Sequence, residues 1–298
     1  MRLSVSPVRR PVIILAMALL LWSCSDERGG QVPTGTPGGG IRAGVADVGG
    51  YMLAYRCQGT GSPTVLLEAG LDSGGSSAWQ GIIDDVADLG VRACTYDRAG
   101  TGTSDPRPER PEAPTATDQA DELHRLMAAA TIEPPFVLVP HSYGGLVARM
   151  FADRSPDEVA GFVFEDVSTA WEIDLWPRFD DSPWIDGGQK VDIEATEGQV
   201  LDAAGLGDRP AFVVSQDTYD EEGIPSWAAP IFARQQARLA ALGSDVVHVR
   251  ADGVGHFIHE DRPELMLVAI EGVVDAVRDD TPLPACEELV DPDLGSCV

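Results

Sequence analysis

Four apolar residues, Phe136 to Val139, follow Pro134-Pro135 and run into Pro140. A short continuous apolar run bounded by breakers is the pattern of a buried strand. Directly after it, Gly144 to Ala152 carries Leu146, Val147, Met150 and Phe151 at helical spacing. The same alternation recurs along the chain. Strands are predicted at Gly50 to Cys57, Thr64 to Glu68, Val91 to Tyr96, Gly161 to Glu165, Pro210 to Ser215 and Val246 to Arg250. Helices are predicted at Ala78 to Leu89, Thr117 to Ala130 with Asp118 as a cap, Ile231 to Leu242, and Pro263 to Val277. Strands that alternate with helices imply a mostly parallel sheet covered on both faces. Residues 167–208 break this rhythm with Trp171, Trp176, Trp184, several prolines and many acids. An insertion of that size is where a lid over a pocket is expected. Its tryptophans either line an apolar cleft or form the lid's own core.

At the sharp turn between the Phe136 strand and the following helix stands Ser142, flanked by His141 and Tyr143 and followed by two glycines. A serine hydroxyl is a poor nucleophile at neutral pH. It needs a histidine to take its proton and backbone N–H groups facing the oxyanion that forms. A tight strand-to-helix turn supplies both, and the usual pattern for it is G-x-S-x-G. Here the pattern reads Pro140-His141-Ser142-Tyr143-Gly144, with proline in the first glycine's place. A proline is tolerated at a strand end, where its missing N–H is not needed.

Charge narrows the partners. The 298 residues carry a net charge of −27, which argues against nucleic acid or an anionic membrane surface as a partner. The 44% hydrophobic content is that of a globular protein with a substantial core. At the N-terminus, Arg2, Arg9 and Arg10 precede an apolar run from Pro11 to Trp22, too short to span a bilayer comfortably and placed as in a signal peptide. Leu21-Trp22-Ser23-Cys24 resembles the lipobox of bacterial lipoproteins, in which the cysteine is lipidated. Cleavage by an ordinary signal peptidase is the alternative, and Arg9-Arg10 also suits a twin-arginine signal. Residues 25–44 are rich in Gly and Pro and read as a flexible tether. The domain is expected over 45–280, with a tail over 281–298.

Four cysteines remain after Cys24: Cys57, Cys94, Cys286 and Cys297. An even number suits two disulfides in an oxidising compartment, and sequence alone allows three pairings. Cys286 and Cys297 are close along the chain and flank a polar loop, so they are expected to pair and staple the tail. Cys57 and Cys94 are then left for each other. Four buried thiols are the alternative.

Taken together, the motifs resemble the α/β-hydrolase superfamily from about Gly50 to Val277. Besides the serine turn, LLEAGLDSGGSSAW resembles its oxyanion loop, TYDRAGTGTSD the turn after the following strand, and GVGHFIHEDRPE its catalytic histidine loop. The chain is most similar to secreted actinobacterial-type members whose oxyanion loop begins E-A-G. The resemblance implies an eight-stranded, mostly parallel α/β sheet with helices on both faces and a lid insertion. It also implies that Ser142 is the nucleophile and His256 the base, with oxyanion donors on the backbone of Tyr143 and Leu71. The acid is Asp166, at the end of the Gly161 strand, or Asp217 or Asp220, after the next. His141 and His259 would pack around the site. In this fold the second and fourth strands are antiparallel neighbours, which would set Cys57 against Cys94.

These readings converge on an exported serine hydrolase, lipid-anchored or secreted, that cleaves a small-molecule ester or amide through an acyl-serine intermediate. Serine at position 142 argues against epoxide hydrolase and dehalogenase chemistry, which the family runs on a carboxylate nucleophile. No metal or cofactor is expected, because the histidines and cysteines show no ligand spacing. The alternative is a lipoprotein that keeps the fold as a binding module without catalysis. Substrate identity and oligomeric state are not written in the sequence.

Overall fold

The computed structural model describes residues 40–71, 74–171, 183–219 and 226–298. Cys24, the signal reading and residues 25–39 of the tether reading lie outside these residues, as do Asp72, Ser73, Trp176 and Asp220. The strands are β1 (Arg42–Asp47), β2 (Met52–Gln58), β3 (Thr64–Glu68), β4 (Arg92–Tyr96), β5 (Phe136–Pro140) and β6 (Val159–Glu165), followed by β7 (Ile185–Asp186), β8 (Gln189–Lys190), β9 (Ala211–Gln216), β10 (Val246–Ala251) and β11 (Ser296–Cys297). Helices α1 (Ile83–Asp88), α2 (Ala116–Ala129), α3 (Gly144–Arg154), α4 (Ile193–Asp202), α5 (Ala229–Ala240), α6 (Ile258–Asp261), α7 (Pro263–Asp279) and α8 (Cys286–Leu289) connect them.

Among the described residues the main sheet has nine strands rather than eight, in the order β1-β2-β4-β3-β5-β6-β9-β10-β11. It is parallel from β4 through β10, while β1–β2, β2–β4 and β10–β11 are antiparallel. The additional strand is β11, the tail itself. β7 and β8 form a separate two-stranded hairpin inside the insertion. Strand β1 begins at Arg42, within the stretch read as tether, and pairs with β2 from Arg42↔Cys57 to Asp47↔Met52.

The alternation of side chains along the central strands builds two cores. Leu66, Leu138, Phe162, Phe164 and Val213 face α2 and α3, meeting Leu123, Leu126, Leu146, Val147 and Phe151. Val65, Leu67, Val137, Val139, Val163 and Phe212 face the other way, against Ile83 and Val86 of α1 and Leu265, Ile270 and Val273 of α7. Successive residues of a strand point to opposite faces, so near-continuous apolar runs are what a sheet covered on both sides requires. Helix α2 starts from Thr115, whose side chain accepts from the Asp118 amide while Asp118 returns the bond to the Thr115 amide. Asp118 is thus the third residue of a capping box, not the cap itself.

Both expected disulfides are present. Cys57 faces Cys94 directly across β2 and β4, with Cα atoms 4.0 Å apart, and Cys286 bonds Cys297.

Candidate active site

Strand β5 ends at Pro140, and the sheet bonding passes around its missing amide. His141 N–H donates to Glu68 O at 2.9 Å and Ser142 N–H to Glu165 O at 3.2 Å. Ser142 then takes a left-handed backbone conformation, φ 51°. For a residue other than glycine this costs on the order of 1–3 kcal/mol. Its carbonyl accepts from the amides of Gly145 and Ser168, both at 2.9 Å, so the turn is held from the helix side and from the loop after β6. The glycines are there for close approach. A Cβ on Gly145 would lie 2.4 Å from Val167 Cβ, and one on Gly144 2.8 Å from Ala69 O. Gly70 packs on the turn itself, where a Cβ would stand 3.1 Å from Ser142 Cβ.

Strand β6 delivers Asp166, also left-handed at φ 38°. Its amide donates to Val214 O at 2.7 Å, and its Oδ1 accepts from the Gln216 amide at 3.1 Å. The other oxygen, Oδ2, lies 2.6 Å from His256 Nδ1. A carboxylate acceptor at Nδ1 favours a ring proton on that nitrogen, the tautomer in which Nε2 can accept one. Asp217, the other candidate acid, faces elsewhere. It lies 3.2 Å from Arg250 Nε and accepts from the Gly253 amide at 3.3 Å.

Two further histidines hold this arrangement. His141, next to Ser142 in sequence, has its ring centroid 4.5 Å from that of His256 and its Nε2 3.0 Å from His256 O. Burial, with His256 and His259 nearby, pushes its pKa well below the usual histidine value. It is therefore neutral, with its proton on Nε2 facing a carbonyl. Buried His259 meets buried Glu165 with both its amide and its Nδ1, each 2.7 Å from Oε1. Burial opposes a charge on His259, but Glu165 outweighs it and raises the pKa. The pair fastens the segment after His256 to the end of β6, one residue before Asp166.

Tyr143 and Leu71, the expected oxyanion donors, lie at the start of α3 and just beyond β3. Helix N-termini leave their first amides without intrahelical acceptors. Tyr143 is fully buried, and its hydroxyl donates to Gln119 Oε1 at 2.6 Å. Trp184 packs on the Tyr143 ring at 5.9 Å, edge to face, and so joins the main core. Trp171 instead lines a cavity of about 60 Å³ with Gly145, Leu146, Val167 and Leu239. Neither Ser142 nor His256 is among its lining residues.

The residue that sequence reasoning undervalued is Arg98. The turn after β4 reads as purely structural, and Asp97 fits that reading: its carboxylate accepts from the amides of Ser76 at 2.7 Å and Thr103 at 2.8 Å. Arg98, by contrast, is buried between Glu68 at 2.6 Å and Asp186 at 2.7 Å. Burial works against its charge, yet Asp186 and Glu68 hold its pKa well above the usual arginine value. An arginine in an otherwise small-residue loop, one strand away from Glu68, is the signal that was available.

The description of the family matching residues 63–197 is alpha/beta hydrolase fold. The chain is 26% identical over 226 residues to the uncharacterized protein YqjL of Bacillus subtilis (strain 168), covering 72% of this chain and 85% of that one. It is 28% identical over 239 residues to a haloalkane dehalogenase of Sphingobium indicum, covering 76% and 78%. Among solved structures, a thermophilic esterase from Thermogutta terrifontis superposes with a TM-score of 0.56 at 18% identity, over 79% of this chain and 99% of that one. With its sheet order, helix placement and serine turn, the chain has the α/β-hydrolase fold.

Proposed function

We propose that the protein is a serine hydrolase that cleaves a carboxylic ester, or an amide, through an acyl-Ser142 intermediate. The observation that carries this reading is the strained Ser142 turn beside the His256–Asp166 pair. In the proposed cycle, His256 Nε2 takes the Ser142 proton as Oγ attacks the substrate carbonyl carbon. Asp166 holds the ring orientation and stabilises the imidazolium. The backbone amides of Tyr143 and Leu71 receive the oxyanion. His256 then protonates the leaving alcohol or amine. Water enters, loses a proton to His256 and attacks the acyl carbon, which releases the acid and restores Ser142. Position 142 carries a hydroxyl, so the similarity to a dehalogenase is taken as one of fold rather than of reaction. Export, with lipidation at Cys24, is part of the same proposal. It is supported by the apolar N-terminal run and by two disulfides, which suit an oxidising compartment.

The test is labelling of the purified domain with a fluorophosphonate probe. Rapid labelling that is abolished in Ser142→Ala and strongly slowed in His256→Ala supports the reading. A folded parent that does not label overturns it and favours a binding module.

A further inference from the structure

All five N–H groups of Arg98 are used. Nε and Nη2 bind the two oxygens of Asp186 at 2.8 and 2.7 Å. Nη1 donates to Glu68 Oε1 at 2.6 Å and to Ala69 O at 2.7 Å, and Nη2 donates also to Gly70 O at 2.5 Å. Two of these acceptors are carbonyls of the loop that carries Leu71. A trans peptide is planar, with its C=O and the following N–H pointing to opposite sides. Arg98, by fixing Gly70 O, therefore fixes the Leu71 N–H in the direction away from itself. A positive charge on that carbonyl also polarises the amide and makes it a stronger donor.

The same cluster reaches the second donor. Asp186 Oδ2 accepts from Gln119 Nε2 at 2.8 Å, and Gln119 Oε1 accepts the Tyr143 hydroxyl at 2.6 Å. The Arg98 guanidinium carbon lies 5.5 Å from the centroid of the Tyr143 ring. Asp186 belongs to the insertion, whose hairpin is clamped on the Arg98 turn. A Cβ on Gly100 would stand 2.2 Å from Gly187 O, and one on Gly187 2.0 Å from Ala99 O. Arg107 and Gln189 close the far end of the clamp with reciprocal bonds of 2.8 and 3.1 Å.

We propose that Arg98 and Asp186 are the positioning pair of the oxyanion hole, Arg98 orienting the Leu71 amide and Asp186 tying Arg98 to the Gln119–Tyr143 arm. The insertion thereby completes the catalytic apparatus. This rests on the serine hydrolase reading of Ser142.

The experiment compares the parent with Arg98→Lys and Asp186→Asn. Lysine keeps the charge but cannot present a fork to this many acceptors. With a p-nitrophenyl ester, kcat is expected to fall about 100-fold while KM stays within about threefold, as for loss of an oxyanion donor. The inhibition constant of a trifluoromethyl ketone, which forms a tetrahedral adduct on serine, should weaken in parallel. Loss of packing alone would not link these two quantities at constant KM. Folded variants that keep kcat within about threefold, or that change KM alone, overturn the proposal. If neither variant folds, Tyr143→Phe decides, with kcat expected to drop about tenfold and an unchanged kcat overturning it. A parent that fails to label with fluorophosphonate removes the hydrolase reading and this inference together. A parent that labels, with unaffected variants, removes only this inference.

Discussion

His256 Nδ1 and Asp166 Oδ2 are 2.6 Å apart, and the second carboxylate oxygen of Asp166 is held by the Gln216 amide at 3.1 Å. The carboxylate is thus gripped from β9 while it faces the histidine, so its direction does not depend on the histidine being charged. Replacing it by asparagine keeps the shape but turns an acceptor into an amide that can present N–H to the ring. Asp166→Asn is expected to lower kcat by about 10⁴-fold through the wrong tautomer. Asp217→Asn should leave kcat within about twofold, because Asp217 is engaged with Arg250 and Gly253. Steady-state kinetics on one ester separates the two acids, and the reverse ranking would reassign the triad.

The left-handed Ser142 stores strain that glycine would not feel. Ser142→Gly should therefore abolish fluorophosphonate labelling and yet raise the stability of the fold by about 1 kcal/mol, the strain released less the extra freedom of an unfolded glycine. Ser142→Ala, which keeps a Cβ, should abolish labelling without that gain. Urea melts of the three proteins check it.

The serine turn and the histidine loop were legible because each is local. An apolar strand, a small-residue turn and a helical repeat lie within about fifteen residues, and His256 alone among the histidines sits in a glycine-flanked loop after a late strand. Asp166 was legible as a strand-end acid, although only the structure shows it facing His256 while Asp217 turns to Arg250. The Arg98 cluster was not legible, since Arg98 and Asp186 are separated by 88 positions and meet only when the insertion folds back. The two outermost strands escaped for a different reason. β1 is largely solvent-facing, and its residues RAGVAD carry little apolar signal. β11 has two residues, and its place at the sheet edge comes from pairing with β10 and from the Cys286–Cys297 bond.

That bond braces more than the tail. Arg262 donates to Asp293 O at 2.9 Å and Leu294 O at 3.0 Å, and Ser296 Oγ donates to Asp252 at 2.5 Å. Asp252 and Arg262 flank the loop that carries His256. Closing a loop with a sequence separation of 11 contributes about 3 kcal/mol in the chain-entropy account. The Cys286→Ser/Cys297→Ser double variant should lose about that much in denaturant melts. It should also lose activity at temperatures where the fold is still intact, as the His256 loop loosens first. Equal midpoints for unfolding and for loss of activity would refute the bracing.

Two buried histidines should tilt stability in opposite directions with pH. His248, buried in β10 with Nε2 3.1 Å from Ser215 Oγ, has its pKa lowered by burial to about 4. Its folded pKa lies below its unfolded value of about 6.5, so its contribution is complete above pH 6.5 and is lost as pH falls. The slope is about 1.4 kcal/mol per pH unit, ending near pH 4. His141 acts in the same direction. For His259, Glu165 raises the folded pKa against the effect of burial, so its contribution is complete below pH 6.5 and fades as pH rises through the raised value. His248→Gln should flatten the acid limb of the stability profile, and His259→Gln should flatten the limb that falls as pH rises above 6.5, while lowering overall stability through loss of the Glu165 pair. Urea midpoints from pH 4 to 9 resolve both limbs. A His248→Gln profile parallel to the parent's below pH 6.5 would show that the buried imidazole is not what acid titrates.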